Sequence, residues 1–132
     1  MNEVQQAFAD AMANKDTGPI RLTITQSLAA NALQNGAGVM VPADCDMLLT
    51  GIHYKSTGTF AAQTILPNGR TIEDVLIDND QWAGNKPETA MPVFPPVLYG
   101  GGQRIAVNLR DTSTATNNIV IYLEGVRKLR NQ

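Results

Sequence analysis

Few residues in this chain could carry out nucleophilic or acid–base chemistry. His53 is the only histidine and Cys45 the only cysteine, so no internal disulfide can form. A catalytic triad needs a nucleophile and a carboxylate that converge on one imidazole, and no Gly-x-Ser-x-Gly motif is present. A zinc site needs three or four histidine and cysteine ligands. We therefore predict no catalytic residues, no metal site, no cofactor and no enzyme activity, with Cys45 as a buried apolar residue.

The best candidate for ion chemistry is an acidic group that comprises Glu73, Asp74, Asp78 and Asp80. Asp78-Asn79-Asp80 begins like a calcium loop, but Trp82 stands where a third oxygen ligand belongs and the glycine comes too late. The sequence favours a solvated loop here. The enzyme alternative would need His53 and these carboxylates to converge in one pocket.

Composition narrows the class of protein further. The chain has 132 residues, which suits one domain. Its net charge is −2 and only 17% of its residues are charged, so there is no basic stripe to neutralise phosphates and we predict no nucleic-acid partner. We find no signal peptide and no apolar run long enough to span a bilayer. The expectation is a soluble protein made in a cytoplasm, with no membrane partner.

The N-terminal segment has helical periodicity. Val4, Phe8 and Met12 recur at four-residue spacing over residues 2–16, and Gly18-Pro19 ends the pattern. A helix this short needs a surface to dock on. We expect residues 1–18 to form a helical arm and residues 19–132 to form a separate β domain.

After Pro19 the apolar period changes to two, which is typical of strands. Strands are predicted at 20–25, 39–41, 47–54, 60–66, 104–110 and 119–124. Asn68-Gly69 predicts a tight turn because glycine accepts positive φ. Residues 71–77 are a strand or one helical turn, 78–92 a polar loop, and the last two strands are predicted to pair as a long hairpin. Seven or eight evenly spaced strands predict an antiparallel β-sandwich or jelly roll with a short N-terminal helix.

Trp82 lies in the polar loop and has two possible roles. Tryptophan is enriched at interface hot spots, so Trp82 could form an apolar patch with Met91 and Phe94. Alternatively, the loop folds back over its own core. The predicted interface residues are Val4, Phe8, Met12, Trp82, Met91 and Phe94.

Two segments resemble a known group of proteins. Residues 39–52 contain a Pro42-Ala43-Asp44 turn before a long strand. Residues 94–127 contain the Gly100-Gly101-Gly102 turn, a strand, a polar loop and a last strand that ends in Gly125-Val126-Arg127. Over residues 19–128 this pattern resembles small jelly-roll virion structural proteins of tailed phages, of the capsid cement or decoration type.

The resemblance implies a non-enzymatic capsid decoration protein in the virion. Its implied partners are copies of itself, as a dimer or trimer, and the major capsid protein or other virion proteins. It implies no active-site residues. Two alternatives stay open: a neck, collar or tail-associated virion protein, and a carbohydrate- or receptor-binding β-sandwich module. The last alternative predicts that Trp82, Tyr54 or Tyr99 lie exposed side by side.

Overall fold

The structure is a computed structural model that describes residues 17–83 and 91–129. In these two ranges the chain forms eight strands and one short helix. The elements are β1 (Thr17–Leu28), β2 (Leu33–Met40), β3 (Cys45–Ser56), β4 (Phe60–Ile65), β5 (Ile77–Asp78), α1 (Asn79–Ala83), β6 (Met91–Tyr99), β7 (Arg104–Asp111) and β8 (Asn117–Leu129). The expected all-β class is therefore confirmed, while the predicted helix at 2–16 lies outside the described residues.

The strands form two four-stranded antiparallel sheets that face each other. The first sheet has the order β1-β8-β3-β6 and the second the order β2-β7-β4-β5. Strands β8 and β3 are interior to the first sheet, and β7 and β4 to the second. The N-terminal and C-terminal strands of the described chain thus lie side by side, with Thr17 opposite Lys128.

Side-chain alternation explains which face of each strand is buried. In β1, Ile24 and Leu28 are buried while Thr23, Thr25 and Ser27 are exposed, because successive side chains of a strand point to opposite faces. The core between the sheets is apolar. Its largest fully buried side chains include Tyr99, Phe60, Met47, Leu49, Ile105, Leu109, Ile119, Ile121 and Leu123.

The predicted hairpin of the last two strands is wrong. β7 pairs with β2 and β4 in the second sheet, whereas β8 pairs with β1 and β3 in the first. Alternation identifies a strand and its buried face, but it does not identify the neighbouring strand. The polar segment after Asp111 crosses from one sheet to the other instead of turning back within one sheet.

Two glycines occupy positions where a side chain would be strained, one in a turn and one between two strands. Gly69 has φ of 87°, which confirms the turn predicted at Asn68-Gly69 and which a residue with a side chain rarely adopts. Gly125 lies where β8 passes a bulge of β3 between Leu49 and Gly51. A Cβ at Gly125 would overlap the carbonyl oxygen of Leu48, so these two interior strands approach closely because residue 125 has no side chain.

Candidate interaction surfaces

His53 lies on the outer face of the first sheet, away from the core. Its Nε2 is 3.1 Å from Oε1 of Glu124, and its ring centroid is 4.7 Å from that of Tyr122. Glu124 also accepts a hydrogen bond from the Arg21 guanidinium. The carboxylate beside His53 therefore comes from β8. The convergence with Asp78 and Asp80 that the enzyme alternative needs does not occur, because Asp78 belongs to β5 of the second sheet and Asp80 to α1, which follows it.

The acidic loop is organised around a structural asparagine. Asn79 donates a hydrogen bond from Nδ2 to the Tyr54 hydroxyl at 2.6 Å, and its Oδ1 accepts one from the backbone N–H of Phe60 at 3.4 Å. Asp78 and Asp80 are exposed on either side. Within residues 17–83 and 91–129, no three histidine, cysteine or acidic side chains are grouped so that they could hold a metal ion.

Trp82 packs into the chain's own core and is 6% exposed. Its ring meets Phe60 edge-on at 6.2 Å, and Nε1 donates a 2.8 Å hydrogen bond to Oγ1 of Thr64. Thr64 in turn donates its backbone N–H to Glu73 at 2.9 Å. The loop is therefore folded over the chain's own core, which is the second of the two roles considered for Trp82. Its side chain offers little surface to a partner.

Beside Trp82, an apolar cleft of about 520 Å³ opens between the edges of the two sheets. Its described lining includes Ile52, Thr64, Leu66, Ile72, Ile77, Trp82, Met91, Val93 and Val97. We call this the side cleft. Two of the lining residues, Ile72 and Met91, are exposed. Of the six predicted interface residues, Trp82 and Met91 line the side cleft. Val4, Phe8 and Met12 lie outside the described residues, as does the side chain of Phe94.

A second apolar surface crosses the outer face of the first sheet. The register places Pro19 opposite Val126, Val126 opposite Leu48, and Leu48 opposite Leu98. We call these four residues the outer apolar row. Its two ends, Pro19 and Leu98, are exposed, Val126 is half-buried, and Leu48 between them is only 4% exposed. Sequence analysis missed this row because its members come from four strands, and only the pairing register reveals that they are neighbours.

One end of the sandwich is held by a buried carboxylate. Asp111 is 2% exposed and accepts hydrogen bonds from the hydroxyl of Ser113 (2.6 Å), the backbone N–H of Asn31 (2.9 Å) and the side-chain amide of Asn117 (3.1 Å). The Ser113 hydroxyl, followed by these other donors, holds the pKa of Asp111 well below its ordinary value. Asn117 also accepts from the Gly58 backbone N–H at 3.1 Å, so the network ties three chain connections together.

Comparison with known proteins identifies no family. No family model matches the chain, and no curated protein matches its sequence. A solved structure from work on Bacillus endospore appendages, described as a novel family of disulfide-linked pili, is similar at 11% sequence identity. That match covers 89% of this chain and 92% of the other, with a TM-score of 0.39, which is too low to support a conclusion about function.

The described helix content is small. No helix in residues 17–83 or 91–129 has the length and apolar character needed to cross a membrane.

Proposed function

We propose that this chain is a non-enzymatic structural protein of a phage virion, and that its jelly-roll domain decorates the capsid and stabilises it. The observation that carries the proposal is the strand order. A jelly roll has eight strands in two sheets built from Greek keys. Here β1, β3, β6 and β8 form one sheet and β2, β4, β5 and β7 the other, an order that supports a jelly roll in the segment that resembles phage virion proteins.

Two partly exposed apolar surfaces support a role in assembly. The side cleft and the outer apolar row lie on two different sides of the sandwich, and apolar surfaces of this kind commonly mark protein–protein interaction sites. A decoration protein needs at least two contact surfaces, because it acts by bridging neighbouring coat subunits. A rigid body with apolar surfaces on two sides meets that requirement.

The stabilising effect follows from mass action. A protein that binds the assembled shell, and not its separated subunits, shifts the equilibrium toward the shell by RT ln(1 + [L]/Kd), where [L] is its free concentration. No bond is made or broken, so catalytic groups are not required. The predicted absence of an active site is consistent with such a role and stays a prediction.

One virion alternative differs only in location. A neck, collar or tail-associated protein would use the same sandwich and the same surfaces. The carbohydrate-binding alternative has less support, because it predicts exposed aromatic rings side by side. Tyr99 is 0% exposed and Trp82 is buried, which leaves Tyr54 without the two neighbours that it would need.

The test of this proposal is the copy number of the chain in purified virus particles, measured by quantitative mass spectrometry against the major coat protein. We expect a number comparable to that of the coat. A far smaller number would indicate that the protein belongs to the neck or tail. If the chain is absent from the particles, the virion proposal is wrong.

A further inference from the structure

The two sheets have four edge strands, and three of them are unsuited to pairing with another strand. β5 has only two residues. β6 contains Pro92, Pro95 and Pro96, each of which lacks a backbone N–H. β2 is interrupted by a bulge between Gln34 and Ala37, and bulges protect an edge from further pairing. Of the strands that the structure describes, only β1 offers a long regular edge, with twelve residues and an unbroken register against β8.

Hydrogen bonds at the start of β8 establish which backbone groups of β1 face outward. Asn118 donates its N–H to Oγ1 of Thr57 at 2.9 Å, and its carbonyl accepts from the Thr57 N–H at 3.1 Å. Asn118 therefore faces β3. Because backbone groups alternate in direction along a strand, the odd-numbered residues of β8 face β1, and their partners in β1 are the even-numbered ones.

The odd-numbered residues of β1 consequently direct their N–H and C=O groups away from β8. Pro19 fits this assignment, because a proline is tolerated on an edge strand when its nitrogen faces outward. The outward donors are the N–H groups of Arg21, Thr23, Thr25 and Ser27, and no described strand other than β8 pairs with β1. The side chains of these same residues are exposed, so a second strand could approach without displacing the core.

We propose that two copies of the chain associate through β1, antiparallel and about a two-fold axis at Thr23. Thr23 then pairs with Thr23 of the second copy, Arg21 with Thr25, and Pro19 with Ser27. Among the described strands β1 is the one long regular edge, so β1 is the strand that a second copy can offer to it. The interface is therefore isologous, and it closes as a dimer instead of continuing as a fibre.

The proposed register leaves few groups without a partner. Pro19 has no N–H for the carbonyl of Ser27 opposite it, but that carbonyl already accepts a hydrogen bond from the Gln26 side chain of its own strand at 3.1 Å. The pairs are also compatible in charge, because Arg21 faces a threonine and not another arginine. Threonine pairs across antiparallel strands are favourable. The result is one continuous eight-stranded sheet made of two four-stranded ones.

Association of this kind does not depend on the virion role, and it can be tested on the purified chain. Light scattering coupled to size exclusion should give twice the 14.2 kDa mass of one copy. Thr23→Pro removes an outward N–H from each copy and should raise the dissociation constant about tenfold or more. Thr23→Val, which keeps the N–H, should stay dimeric. Should Thr23→Pro fail to fold, Thr23→Lys places two like charges at the axis and should weaken the dimer most at low salt.

Cross-linking tests the register itself. Paired residues in an antiparallel ladder have Cα atoms about 5.5 Å apart, which a disulfide can span. Thr23→Cys should therefore form a covalent dimer under mild oxidation, whereas Thr25→Cys, which faces Arg21, should not; the native Cys45 is buried. A monomeric wild-type chain would overturn the proposal and leave the β1 edge to a strand of another protein. A dimer that Thr23→Pro and Thr23→Lys both leave intact would overturn it too, and so would cross-linking at Thr25 instead of Thr23.

Discussion

Among the described residues, Asp111 is the only acidic one that is buried. It is buried, yet its carboxylate accepts hydrogen bonds from a hydroxyl, two backbone N–H groups and a side-chain amide. Such donors stabilise the ionised form and lower the pKa. An Asp whose pKa is lower in the folded state stabilises the fold above its unfolded pKa of about 3.9, and that contribution is lost as the pH falls below it.

Asp111→Asn should therefore lower the free energy of unfolding at pH 7, because an amide accepts fewer and weaker hydrogen bonds from the same donors. The difference from wild type should be smaller at pH 3, where the wild-type contribution is already declining. Urea unfolding at both pH values measures this. Asp44→Asn, the same change at an exposed position, is the control and should have little effect at either pH. Equal losses for Asp111→Asn at both pH values would contradict the assignment.

Tyr99 has the opposite dependence on pH. Its hydroxyl donates to the carbonyl of Ile65 at 3.0 Å, and burial raises its pKa to about 12. In the unfolded chain the same group titrates near 10. Its contribution to stability is complete below about pH 10 and disappears as the pH rises from there through 12.

Tyr99→Phe should cost about 1 kcal/mol at neutral pH through loss of the hydrogen bond. The variant should, however, lose less stability than the wild type between pH 9 and pH 11, because it has no buried phenol to ionise on unfolding. Urea unfolding across this range gives both quantities. Tyr122→Phe, at a half-buried position on the outer face, serves as the control. Parallel curves for Tyr99→Phe and wild type would show that ionisation of Tyr99 does not limit alkaline stability.

Sequence analysis predicted residue roles unevenly. The contact of His53 with Glu124 depends on the register between β3 and β8, so the sequence around His53 does not indicate it. Trp82 illustrates the same limit. The sequence left two roles open for Trp82, an interface patch or packing on the core. The indole nitrogen has a buried partner in Thr64, and nothing in the local sequence indicates that a threonine eighteen positions earlier would provide it.

At the scale of elements, the close approach of β8 to β3 constrains one backbone position. Gly125→Ala should lower the free energy of unfolding by about 1–3 kcal/mol, because the added methyl overlaps the Leu48 carbonyl and rigid backbone must move. Gly18→Ala is a matched control on the same sheet. Its Cβ would meet Arg127 Nε at 3.8 Å, an ordinary contact. Urea unfolding of both variants compares them, and similar free energies would contradict the packing argument.

Strand positions were more predictable than strand partners. Alternation located 20–25, 47–54 and 60–66, which lie within or extend just past β1, β3 and β4. It also located both strands of the supposed hairpin, yet these belong to different sheets. The segment 71–77 was assigned to a strand or a helical turn, and it is mostly irregular, with an isolated bridge at Thr71 and β5 starting at Ile77. The local alternation of apolar residues indicates which face of a strand is buried. The choice of neighbouring strand depends on residues far away in the chain.

At the scale of the whole molecule, the two proposals can fail separately. The virion role depends on the composition of particles, and the β1 dimer depends on the mass of the purified chain. If the chain is a dimer but is absent from virus particles, the β1 interface stands and the decoration role is wrong. If it is a monomer but is abundant in particles, the decoration role stands and the β1 interface is wrong. The side cleft and the outer apolar row would then be the candidate contact surfaces.

The position of β8 between β1 and β3 also has a consequence for biosynthesis. On the ribosome, β1 emerges long before the strand that it pairs with, which spans Asn117–Leu129. The first sheet cannot be joined until β8 has been made, because β8 lies between β1 and β3. Contacts between such distant segments slow folding because a long loop must close first. During synthesis β1 therefore stays without its β8 partner until residues 117–129 are available, and pairing of the first sheet comes late.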